Sequence, residues 1–178
     1  MKKSTTSLWI VLLTFVAGTL FSGFMLKKNK TKKNKKMAQV GIIVGDIDKA
    51  AEKYAALFNM DKPDIIIAEN PEDNPTTYKG ELTEATAKLA FFNLENIQLE
   101  LIEPVGKPST WNKLIKKTGG GIHHIAFWID GMKMQVSHLE SLGMKAVQHG
   151  GWTGGQYSYV ESEKDMAVII ELLENFND

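Results

Sequence analysis

The chain has 178 residues, of which 43% are apolar and 24% charged, a balance that suits a folded domain with an appendage rather than a disordered chain. It contains neither Cys nor Arg, which excludes disulfides, thiolate metal sites and a Cys nucleophile. Its zero net charge hides an asymmetry: residues 1–36 hold nine Lys and no acid, while the other 12 Lys share residues 37–178 with all 21 acids, so an acidic body without Arg argues against a nucleic-acid partner.

Residues 8–26 (LWIVLLTFVAGTLFSGFML) carry no charge. As a helix they would span about 28 Å, close to the hydrocarbon thickness of a bilayer. Two Lys precede this run and seven follow it, and the positive-inside rule then places the body in the cytoplasm. The expectation is an N-terminal transmembrane anchor with a basic linker (1–36) ahead of a second domain (37–178). That makes a single-pass membrane protein contacting the membrane through residues 8–26, with its body on the cytoplasmic side. A cleaved signal peptide and an internal start at Met37 are the alternatives.

Beyond the linker, QVGIIVG (39–45) predicts a buried strand. Asp46 offers an N-cap to a helix with Ile47, Ala50, Ala51, Tyr54, Leu57 and Phe58 at helical spacing, ending at Asn59. DIIIA (64–68) predicts a strand, and the polar stretch 69–84, with two Pro and a Gly, a loop. Strands follow at 86–93 and 97–102, then a short helix over 109–117 opened by Ser109. After three glycines the pattern begins again: a strand at 122–129, a helix capped by Asp130 and stopped by Gly143, and strands near 145–148, 156–161 and 166–173. The glycine-rich run 149–155 reads as a loop between strands, or as a flap that brings Trp152 and Tyr157 to a substrate. Its lack of a following helix and of a Lys-Ser/Thr ending excludes a P-loop. The body is thus a repeated β-α-β-β-β unit, with QLELIE closing one copy and VIIELLE the other.

Four polar residues sit awkwardly in these apolar strands. Glu100 and Glu171 lie on the two closing strands, and Gln39 and His124 on the two opening strands. A central strand does not bury an unpaired carboxylate without compensation. If the two units pack about a pseudo-twofold axis, the four side chains converge in one cleft. Two carboxylates, an imidazole and an amide oxygen suit one divalent metal ion. His123, the strand neighbour of His124, is expected to point to the opposite face.

GIHHIAFWID, VIIELLE, QLELIEP and VGIIVGDIDKAAEKY resemble the vicinal oxygen chelate superfamily, most nearly its methylmalonyl-CoA epimerase and glyoxalase members, over about residues 39–174. The resemblance implies an α+β fold of two paired βαβββ modules forming a curved mixed sheet around a metal cleft. It implies ligation by Gln39, Glu100, His124 and Glu171, with Gln39 where the epimerases carry His, and Zn, Co, Ni or Mn as the ion. Glu171 would serve as ligand and base in proton abstraction beside the carbonyl of a small-molecule thioester or carbonyl substrate. The epimerases' second base falls near Lys88, which joins Trp152 and Tyr157 as a substrate-binding candidate. Hemithioacetal isomerisation of the lactoylglutathione lyase type and non-catalytic binding of a small molecule such as an antibiotic are the alternatives. A homodimer is one assembly such a fold admits.

Overall fold

The computed structural model of this chain describes residues 36–176. Residues 8–26 lie outside them, and among the described residues no helix is long and apolar enough to cross a membrane. The expected placement as a single-pass membrane protein with a cytoplasmic body is therefore withdrawn, and with it the membrane as a partner.

In chain order the elements are β1 (Met37–Ile43), α1 (Ile47–Phe58), β2 (Ile66–Ile67), β3 (Thr77–Tyr78), β4 (Glu81–Leu82), β5 (Thr86–Asn93), β6 (Gln98–Val105), α2 (Thr110–Thr118), β7 (Gly121–Trp128), α3 (Met132–Ser141), β8 (Lys145–Trp152), β9 (Gly155–Glu161), α4 (Glu163–Met166) and β10 (Ile169–Asn175). The strands form one mixed sheet in the order β2-β5-β6-β1-β7-β10-β9-β8-β3-β4. In each half the opening strand lies parallel to its closing strand, β1 beside β6 and β7 beside β10. The halves meet where β1 pairs antiparallel with β7. Both sequence units thus fold alike, and the curled sheet brings their opening and closing strands side by side at its centre.

Each half buries its helix against its own strands. Ile47, Ala51 and Ala55 of α1 pack on Ala90, Phe92, Leu99 and Leu101. Met132 of α3 packs with Val160, Ile170 and Leu172. Fully burying an aliphatic side chain of this size is worth about 1.5–3 kcal/mol. Between the halves, Trp111 of α2 packs with Ile43, Ile102, Tyr159 and Ile169.

The repeated Glu-x-x-Glu endings use their second carboxylate in the same way. Glu103 accepts the first helical N–H of α1, from Ile47, at 2.8 Å. Glu174 accepts from the backbone of Gly131 and Met132 at the start of α3. This corrects the expected Asp130 cap: Gly131 occupies the N-cap position in a left-handed conformation, and no side chain of the α3 segment itself caps the helix. Asp46, Asn59 and Ser109 cap α1 and α2 as expected.

Three further departures bear on the cleft. The expected loop 69–84 contains the β3–β4 hairpin, whose Lys79 and Gly80 both have positive φ, as a tight hairpin turn requires. Thr77 and Tyr78 then extend the far half's sheet by pairing with His149 and Gln148 of β8. The glycine-rich run is likewise mostly strand, because β8 continues to Trp152 and turns through Thr153 and Gly154. Its glycines make room rather than loosen the chain: a Cβ on Gly150 would come within 2.6 Å of the Tyr157 ring, and one on Gly151 would overlap Asn74. The short α4 was not expected, and β10 starts three residues later than the apolar run suggests.

Candidate metal centre

Glu100 alternates out of the Leu99–Leu101 face of β6, and Glu171 does the same in β10. Both turn into the sheet's concave side, where Glu100 is 7% and Glu171 4% exposed. His124 reaches the same point from β7 and is completely buried. One ligand atom from each lies within 4.8 Å of the others. His124 Nε2 stands 3.0 Å from Glu171 Oε2 and 3.3 Å from Glu100 Oε2. Although these are ion-pair distances, none of the three atoms has a hydrogen-bond partner. The three atoms cluster around one point. Buried polar atoms rarely lack partners, and an oxygen–nitrogen–oxygen donor set aimed at one point is the chemistry of a divalent cation site. The residues present therefore fit the metal that the resemblance implies.

The electrostatics agree. Burial pushes the Glu100 carboxyl above its usual range, against the pull of His124. Burial also opposes charge on His124, but the carboxylates of Glu171 and Glu100 outweigh it and hold the imidazole pKa at about 10. Without a cation, one proton on His124 neutralises part of the negative charge that a metal would otherwise balance.

Space for His124 comes from the opposite half. Gly41 of β1 is its cross-strand partner, and a Cβ there would overlap the His124 ring. Only a residue without a side chain lets β1 and β7 pair at this register.

His123 overturns the expectation that it faces away. The β1–β7 register passes from Gly41–His124 to Ile42–Ile122, leaving His123 as the extra residue of a β-bulge. A bulge breaks strict alternation, so both imidazoles share one side. Their Nδ1 atoms are 3.0 Å apart. Burial and the neighbouring His124 hold His123 well below its ordinary pKa and hence neutral. It accepts from His124 Nδ1–H, which leaves His124 Nε2 facing the two carboxylates. Metal-ligating imidazoles are commonly oriented through their other ring nitrogen in this way. Nothing in an alternating strand pattern reveals a bulge, so sequence reasoning missed this partner.

The trio opens onto a cavity of about 570 Å³. Gln39 lies on its wall, 7% exposed, and donates from Nε2 to Gln98 Oε1 at 2.7 Å. Trp152 and Tyr157 also line it, together with Trp111, Trp128 and Tyr159. Trp111 therefore serves both the core and the cavity. Lys88 is not on this wall. Its ammonium pairs with Glu103 Oε1 at 2.7 Å, a contact that raises its pKa mainly through the hydrogen bond to Glu103. The substrate-binding role expected of Lys88 is therefore replaced by bracing the carboxylate that caps α1. Of the carboxylates near it in sequence, Glu81, Glu84 and Glu95, none lines the cavity.

Comparison with known proteins agrees with this architecture. Residues 38–160 match the glyoxalase/bleomycin resistance protein/dioxygenase superfamily. The chain is 28% identical over 141 residues to the human mitochondrial methylmalonyl-CoA epimerase, covering 77% of this chain and 72% of that protein. It is 29% identical over 98 residues to YqjC of Bacillus subtilis strain 168, covering 53% and 70%. Among solved structures, the methylmalonyl-CoA epimerase of Mycobacterium tuberculosis aligns with a TM-score of 0.56 at 22% identity, over 81% of this chain and 90% of that one. A Streptomyces coelicolor methylmalonyl-CoA epimerase variant in complex with 2-nitronate-propionyl-CoA aligns with a TM-score of 0.57 at 19% identity, over 80% and 95%. The likeness to these two structures establishes a common fold. With two repeated halves around a buried Glu-His-Glu trio, and with the family match spanning most of its body, this chain belongs to the glyoxalase/bleomycin resistance protein/dioxygenase superfamily, also called the vicinal oxygen chelate superfamily.

Proposed function

We propose that this protein is a metal-dependent enzyme of the methylmalonyl-CoA epimerase/glyoxalase type, moving a proton on the carbon beside the carbonyl of a small thioester or carbonyl substrate. The observation that carries this reading is the trio of buried, unpartnered atoms, Glu100 Oε2, His124 Nε2 and Glu171 Oε2, two of whose residues, Glu100 and Glu171, line the cavity. These three, with Gln39, would hold one divalent ion, of which Zn, Co, Ni and Mn suit the donors. When bound, such an ion supplies a Lewis acid for the charge that develops on a carbonyl oxygen.

The chain's own residues do the rest. Glu171 is the base: it is buried on the cavity wall beside Tyr159, its cross-strand neighbour. A carboxylate held there lies within reach of a bound substrate's reacting carbon and can accept its proton. Apolar walls from Leu89, Phe91 and Leu173 keep bulk water from the reacting carbon. His123 holds His124 in the tautomer that turns Nε2 toward the carboxylates.

Two measurements on the purified full chain test the reading. Elemental analysis should find about one divalent ion per chain. Nuclear magnetic resonance in deuterium oxide should show exchange at the carbon beside the carbonyl for a member of an acyl-CoA and hemithioacetal panel, falling at least about a hundredfold in Glu171→Gln. Stoichiometric metal without exchange on any panel member would leave a small-molecule binding protein instead.

A further inference from the structure

The cavity's own chemistry narrows what it can hold. Its described wall has three carboxylates, Glu69, Glu100 and Glu171, and no Lys, in a chain without Arg. Glu100 and Glu171 already match the charge of a divalent ion, so a further carboxylate on a ligand would find no unbalanced positive group on that wall. Burying an unpaired charge is strongly unfavourable. The remaining surface is apolar and rich in rings. Leu89, Phe91 and Leu173 line it, and Trp128 and Trp152 meet edge to face with centroids 6.3 Å apart.

Two tyrosines supply neutral polarity instead. Gln148 is fully buried, and its Oε1 accepts from the backbone N–H of Thr110 at 2.8 Å. That fixes its amide, so Nε2 donates to the Tyr157 hydroxyl at 3.3 Å. Trp111 Nε1, which can only donate, reaches the Tyr159 hydroxyl at 3.3 Å. Each phenol oxygen therefore already accepts from an enforced N–H, and Tyr157 also meets the Thr76 side chain; a hydroxyl supplied in this way can turn its own O–H to a ligand. The two rings stand 5.1 Å apart on the cavity wall. A phenol is protonated at neutral pH, so both hydroxyls are available as donors.

We infer that this cavity takes a carbonyl compound with an apolar, preferably aromatic, substituent and no carboxylate at its reacting end, held through neutral hydrogen bonds from Tyr157 and Tyr159. This inference rests on the reading of the site as a metal centre for carbonyl substrates, and it sets the chain's ligand apart from a malonyl thioester.

The test compares two N-acetylcysteamine thioesters, phenylacetyl and methylmalonyl, which differ only in the acyl group. Binding to the zinc-loaded full chain is read by quenching of tryptophan fluorescence, since Trp111, Trp128 and Trp152 line the cavity. The phenylacetyl thioester should bind at least tenfold more tightly. Tyr157→Phe and Tyr159→Phe should each weaken that binding about fivefold while leaving zinc content unchanged and the protein folded at the assay temperature. Equal or tighter binding of the methylmalonyl thioester overturns the inference, as does no measurable binding of either, or Phe variants that bind like wild type. Tight phenylacetyl binding without proton exchange leaves this inference standing while the enzymatic reading fails, so the two are separable.

Discussion

The two halves of the sheet share one plan but divide the work unequally. Both end on Glu-x-x-Glu, with the first carboxylate buried in the cleft and the second capping a helix. On the opening strands they part. The second half supplies His124, its bulged partner His123, and the cavity tyrosines across the sheet. The first supplies Gln39, tied to Gln98, and Gly41, whose missing side chain leaves room for His124. The two similar halves form the frame, and at the site one leaves the volume that the other fills.

Several substitutions would break or sharpen this contrast. The largest effect is expected at the imidazole. His124→Ala should lower metal affinity by at least about a hundredfold and Gln39→Ala by about tenfold, measured by competition with a chromogenic chelator; equal losses would mean that the halves contribute alike.

The proton on His124 gives a second test. Its pKa is raised from 6.5 to about 10, so its contribution to stability is complete below about pH 6.5 and is lost as the pH rises toward 10. The melting temperature of metal-free protein should fall across that window, while zinc-loaded protein should hold steady through it. Loading zinc at pH 8 should release about one proton per chain, readable by calorimetry in buffers of different ionisation enthalpy.

Gly41→Ala comes next. Its Cβ would meet a buried ring rather than a flexible tip, so about 1–3 kcal/mol of stability should be lost, and zinc affinity with it. In urea denaturation, Glu174→Ala should cost about 1–2 kcal/mol and Glu103→Ala less. The reason is that α1 keeps Asp46 as a second cap, whereas α3 has no side-chain cap of its own. Lys88→Ala should change stability by less than about 1 kcal/mol and leave exchange activity intact; a loss of activity would restore Lys88 to the site.

Much of this was legible in the sequence. Buried carboxylates in otherwise apolar strands mark themselves, and matched placement in two copies brought Glu100, His124 and Glu171 together before any coordinates did. Lys88 was misplaced because a position near a family's base says nothing about the nearest partner in space, here Glu103. The glycine-rich run 149–155 looked like a loop because composition cannot separate a glycine that bends from one that makes room. The β3–β4 hairpin was hidden by its length, two residues per strand, too short for any periodicity to register.

Alternation, caps and the repeated ending determined the element order, the duplicated modules and which side chains had reason to meet, because each is a local property of the chain. Tertiary structure alone decided that His123 turns in beside His124, that Glu174 rather than Asp130 caps α3, and that Gly41 is the seat of an imidazole. The first and last depend on register between strands about 80 residues apart, where a one-residue bulge reverses which face a side chain occupies, and the second on a contact across 43 residues.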